Sequence, residues 1–159
     1  MISDKIRSGI RAAGHPSHNE WYRLDNVAKI YPVVKSHLAS NVFKITVTLD
    51  HKIDSVILKK AVLDCRKRFP VFYVKLRKGL FWYYYEPNDK EPLVLPESSY
   101  VCNPIDTYRN NWFFFTFFYY NDRISLEIFH SLTDGKGALE FLKTVIYRYL
   151  ELSDRKSVV

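Results

Sequence analysis

Cysteine is scarce in this 159-residue chain, which holds only Cys65 and Cys102. One falls in a helical pattern and the other in a loop, so they offer neither metal-ligand spacing nor a disulfide framework, and this suits a reducing compartment. Long apolar runs are missing too: nothing approaches the roughly 20 residues of a membrane span. The opening "MISDKIRSGIRAAGHPS" is charged where a signal peptide would be apolar. A soluble, cytoplasmic protein is the expectation. There is no glycine-rich phosphate loop, zinc-finger spacing or aromatic RNA-reading motif.

What is present is apolar and aromatic. Residues are 47% hydrophobic and 16% aromatic, enough for one sizeable core, and one domain is expected. The net charge of +7 gathers in Lys59-Lys60, Arg66-Lys67-Arg68 and Lys75, Arg77 and Lys78. With no nucleic-acid motif beside them, these are expected to form a solvated face, and no nucleic-acid partner is predicted. His15, His18 and Glu20 in "GHPSHNE" lack the register of a metal site and read as part of an arm; no metal is expected.

Periodicity predicts the elements. In "NVFKITVTLD", Phe43, Ile45, Val47 and Leu49 alternate with polar residues, as in a half-buried strand. "DSVILKKAVLDCRKRFP" then changes period: Asp54 is placed to cap a helix with Ile57, Leu58, Ala61, Val62 and Cys65 towards one face, and Pro70 ends it. "VFYVKL" and "LFWYYYE" flank Arg77-Lys78-Gly79, a hairpin for which Gly79 is expected to supply positive φ. "WFFFTFFYYNDRISLEIFH" reads as two strands joined at Asn121-Asp122. The first is apolar at both parities, the mark of a central strand covered on both sides. Beyond Gly135, Ala138, Phe141, Leu142, Val145, Ile146, Tyr149 and Leu150 recur at helical spacing. The fold class is therefore α/β: a two-layer sandwich, its mixed, largely antiparallel sheet carrying helices on one face.

The stretch "EIFHSLTDGKG" joins the last strand to that helix. His130 shares parity with Ile124, Leu126 and Ile128, so it is expected to point inward, where lost hydration would keep its imidazole neutral and usable as a base. Asp134 can accept backbone hydrogens or an arginine, and Gly135 lets the chain leave a narrow site without a Cβ. The same pattern fits a core histidine satisfied by a backbone carbonyl, followed by an Asp-Gly helix start.

"HSLTDG" is similar to the His-x-x-x-Asp-Gly signature of the superfamily that unites chloramphenicol acetyltransferases, condensation domains and alcohol acetyltransferases. "EWYRLDNVAKIYP", residues 20 to 32, resembles the opening of alcohol acetyltransferase-like members, and Trp21-Tyr22-Arg23 resembles the Trp-x-Arg near the start of chloramphenicol acetyltransferases. The resemblance runs over about residues 20 to 152. It implies an arm over 1–19, a half-domain over 20–152 and a tail or linker over 153–159.

The resemblance also implies roles. His130 would be the catalytic base that takes the proton from an alcohol or amine acceptor as it attacks an acyl thioester. Asp134 would be structural, held by Arg23, with Gly135 completing the motif. Acyl-CoA or an acyl-carrier thioester would be the co-substrate, with no tightly bound cofactor. Phe129 stands where many members have a first histidine, a tolerable change because the second is the catalytic one. In two-halved members the motif closes the first half and the tunnel runs between the halves; here a second half-domain or further copies of the chain would supply the other wall. A non-catalytic assembly module that keeps the motif as scaffold is the alternative.

Overall fold

The computed structural model describes residues 42–80, 83–97 and 106–157. Strand β1 (Val42–Thr48) is followed by helix α1 (Ser55–Asp64), strands β2 (Val74–Lys78), β3 (Tyr83–Pro87), β4 (Val94–Pro96), β5 (Phe115–Tyr120) and β6 (Arg123–Phe129), and helix α2 (Gly135–Ser157). The main sheet has the order β1-β6-β5-β4, antiparallel except for the parallel β4–β5 pair. β2 and β3 form a separate antiparallel ribbon. The expected two-layer α/β architecture is observed.

Helix α1 starts where Asp54 accepts from the Val56 and Ile57 amides at 2.9 and 3.2 Å, a side-chain cap for amides without intrahelical partners. It leaves α geometry at Asp64, running through a 3-10 turn (Cys65–Lys67) before Pro70 opens a second one, Pro70–Phe72. The β5–β6 hairpin turns at Asn121-Asp122, with Asn121 at φ 50°. The expected positive φ at Gly79 needs correction. β2 and β3 do pair antiparallel, with Lys78 opposite Tyr83, but Gly79 does not have positive φ.

Both helices cover one face of the main sheet. Leu58, Ala61 and Val62 of α1, with Ala138, Phe141, Leu142, Val145 and Tyr149 of α2, bury against Phe115, Phe117, Ile124, Leu126 and Ile128. Phe141 sits at the centre, its ring 4.8 to 5.6 Å from those of Phe69, Phe72, Phe115 and Phe117. These tilted and edge-on pairs favour contact between ring edges and faces. Tyr149 reaches across to accept the Asp54 amide at 3.0 Å, tying the two helices at the start of α1.

The opposite face differs. Near the end where β6 finishes, Val42, Phe114 and Phe129 pack with Val74 and Tyr85 of the ribbon. Farther along, Lys44 lies between Glu97, to which it is directly bonded, and Glu127, 3.9 Å away. Thr46 and Ser125 share a 3.0 Å hydroxyl contact. Thr116, Ser125 and Glu127 are buried. Both faces of β5 and β6 are thus covered over most of their length, as the doubly apolar pattern of β5 implies.

The basic groups mostly carry partners: Lys59 meets Glu91 at 2.7 Å, and Lys75 and Arg77 share Glu86 at 3.0 and 2.7 Å.

Candidate functional site

The motif occupies the turn between β6 and α2. The Phe129 amide donates to Phe114 O at 2.9 Å, closing the β5–β6 ladder, and the Leu132 amide folds back to Phe129 O at 2.9 Å. His130 and Ser131 are therefore the two middle residues of a tight turn. His130 is exposed. The expectation that it points inward fails because the strand ends at Phe129: parity governs direction only while the chain remains extended. The desolvation expected of a core histidine is consequently not built into the described residues. The imidazole leans on Phe43 instead, ring centroids 5.2 Å apart at 57°. Phe43 is paired with Ile128, two residues before His130, which brings the ring within reach of the turn.

Asp134 does what its short acceptor side chain allows. Its Oδ1 takes the Gly137 amide at 2.8 Å while its carbonyl accepts from Ala138 at 3.0 Å, which makes it the N-cap of α2. Arg23, the expected partner of Asp134, lies outside the described residues, as do the arm 1–19, His15, His18 and Glu20.

Gly135 needs correction as a close-packing glycine. Among the described residues nothing lies within 4 Å of where its Cβ would be, so it stands in open space at the first turn of α2. The crowded glycine is Gly137, whose Cβ would fall 2.1 Å from Thr133 Oγ1 and 3.3 Å from Asp134 Oδ1. Here the cap itself fills the space, because the side chain that receives the Gly137 amide folds over the helix end. The Gly-x-Gly spacing was the available sequence signal for it.

Two hydroxyls beside the motif were not anticipated. Tyr85 on β3 and Ser131 in the turn have side-chain oxygens shut off from solvent. Burial pushes the Tyr85 phenol well above the ordinary tyrosine range, and Ser131 is the group that draws it back. Among the described residues no group of His, Cys, Asp and Glu side chains could hold a metal ion, and no helix is long and apolar enough to cross a membrane.

No family model matches the chain, and no curated protein matches it in sequence. Its fold does match solved structures. The starter condensation domain of rhizomide synthetase superposes with a TM-score of 0.66 at 12% identity, covering 86% of this chain and 39% of that one. A mutant of the domain gives 0.68 at 9% identity with the same coverage. A mutant in complex with C8-CoA gives 0.61 at 13%, covering 81% of this chain and 35% of its own. The chain thus spans about two fifths of the length of these domains, with the architecture of a condensation-domain or CoA-acyltransferase-like half.

Proposed function

We propose that the chain is an acyl-transferring half-domain in which His130 acts as general base. An alcohol or amine acceptor would lose its proton to the imidazole as its oxygen or nitrogen attacks the carbonyl of an acyl thioester; the tetrahedral intermediate then expels the thiolate, which takes up a proton. A base so placed contributes roughly 10²- to 10⁴-fold. The observation that carries this reading is the placement of the His-x-x-x-Asp-Gly turn in a condensation-like half. His130 stands at the open end of β6, where a second wall would enclose it, and Asp134 caps the helix that follows.

The donor is a CoA or carrier thioester. A C8-CoA complex of the rhizomide synthetase domain makes medium-chain acyl-CoA a suitable probe. The closer likeness to alcohol acetyltransferases rests on the motifs in residues 20–32 and 130–135. Asp134 and Gly135 serve the turn, and Arg23 would add a charge-assisted tie from the start of the half-domain to Asp134. A second half-domain or another copy of the chain supplies the missing wall, because a thioester site open to water would lose its donor to hydrolysis. The chain alone should therefore self-associate or be unstable, and show no appreciable acetyl transfer from acetyl-CoA to simple alcohols. The cytoplasm is the compartment this reading assigns.

Solution mass and thiol release from acetyl-CoA and octanoyl-CoA, each with and without alcohol and amine acceptors, test this. Acceptor-dependent release from an assembled form, lost in His130→Ala with an unchanged melting temperature, is the expected result. Release that persists in His130→Ala would remove the base from His130, and an assembled chain that shows no acceptor-dependent release would favour the assembly-module alternative.

A further inference from the structure

His130 is exposed, and among the described residues neither nitrogen of its ring has a hydrogen-bond partner. A side chain so placed samples several rotamers, whereas a general base must hold one nitrogen towards the proton it takes. The contact that the structure does give the imidazole is the Phe43 ring, centroids 5.2 Å apart and planes at 57°. Both values lie within the spacing and tilt that aromatic rings prefer when they pair.

Phe43 differs from its neighbours on β1. The strand's other positions of the same parity, Ile45 and Val47, are aliphatic, and like Phe43 they pack against the helix-side core. A leucine or isoleucine at position 43 would close that end of the core as well; what the aromatic ring adds is a flat partner for the imidazole. Its backbone is fixed relative to the strand that delivers His130, because β1 and β6 pair without interruption from Val42 opposite Phe129 to Thr48 opposite Arg123. β1 flanks β6 on the side away from β5, so the contact draws the imidazole to that side of the motif turn. We propose that Phe43 is a positioning residue: its ring selects the orientation in which His130 presents its imidazole to the acceptor. The inference rests on His130 being the base. An aromatic pair of this kind favours one arrangement by roughly 2- to 10-fold, which sets the size of the effect.

Phe43→Leu and Phe43→Ile keep an apolar side chain on the core and remove the flat ring, whereas Phe43→Tyr keeps the ring. In the purified chain, NMR should show cross-relaxation between the Phe43 and His130 rings. The His130 ring signals should shift in the two aliphatic variants, stay close to wild type in Phe43→Tyr, and leave those of His51 in place. In the assembled, active form the aliphatic variants should lower kcat about 2- to 10-fold with KM unchanged, and Phe43→Tyr should restore it. In a His130→Ala background Phe43→Leu should cost nothing further, since its effect passes through the imidazole. Unchanged His130 signals, an unchanged kcat, or a further loss in the His130→Ala background would overturn the proposal. The NMR arm needs no turnover, so failure of the base assignment, seen as activity surviving His130→Ala, is separable from failure of this one.

Discussion

Strand β6 meets two different environments. On the helix side Ile124, Leu126 and Ile128 are sealed in an unbroken hydrocarbon layer, and on the other Ser125 and Glu127 are also buried, but among hydroxyls, a lysine and a second carboxylate. The first face gains from area removed from water and tolerates many arrangements of similar volume. The second face depends on partners, because a buried charge is tolerable only while its counter-charge is in place. Stability should therefore concentrate on the helix side, and geometric specificity on the other.

The largest expected effect tests the helix side. Phe141→Ala removes the ring at the centre of the aromatic cluster and should lower stability by about 3 to 5 kcal/mol in urea unfolding. On the other face, Lys44→Met keeps the volume but takes away the cation between Glu97 and Glu127. Lys44 keeps slight exposure, so the loss should fall below that of a fully buried pair, at about 2 to 3 kcal/mol. Adding Glu97→Gln should restore part of it, since that carboxylate no longer needs a cation. If the double variant were less stable than Lys44→Met alone, the polar face would not be held by this charge pairing.

The same contrast explains what could be read from the sequence. The helix-side core follows from period: alternation in β1 and β6, the recurrence from Ala138 to Tyr149, the cap at Asp54 and the Asn121 turn are all local signals. β4 gave none, being three residues ending in Pro96 and recruited by parallel pairing with Phe117 to Tyr119. The charged cluster was hidden because Lys44, Glu97 and Glu127 each look like solvent-facing residues until register brings them together. The motif was legible as a motif, but the direction of His130 was not. One backbone hydrogen bond, Leu132 to Phe129, ends the strand a residue early and turns the histidine outward.

A pH measurement probes the helix side at its edge. Cys65 packs in that core, and burial raises its thiol from 9.0 to about 11. An acid whose pKa is raised by folding holds its proton more tightly when folded, so its contribution is intact below pH 9 and is lost as pH climbs from 9 towards 11. With those two values the loss is about 1.4 kcal/mol at pH 10. Comparing unfolding at pH 8 and pH 10 in the wild type and Cys65→Ala isolates it from tyrosine ionisation, and an identical drop in both would show that the thiol does not titrate with folding.

The smallest effect lies where the helix side meets the motif, at the two glycines of α2. Signature and structure disagree about which one the fold needs. Gly135, the motif glycine, has open space around its missing Cβ, does not have positive φ, and occupies the first helical turn, so Gly135→Ala should cost nothing and gain about 0.5 to 1 kcal/mol through a less flexible unfolded chain. Gly137→Ala would gain the same propensity but must push its methyl against Thr133 Oγ1, 2.1 Å away, and crowd the carboxylate that caps the helix. Thr133 can rotate only by giving up its rotamer, so the net change should be a loss, which pairing with Thr133→Ser should leave and pairing with Thr133→Ala should relieve. Thermal unfolding of the four variants decides it. A Gly135→Ala chain less stable than wild type would mean that residues beyond those described press on the motif glycine, and that its conservation of space belongs to folding after all; a stable Gly135→Ala chain with impaired acyl transfer would assign the same space to substrate.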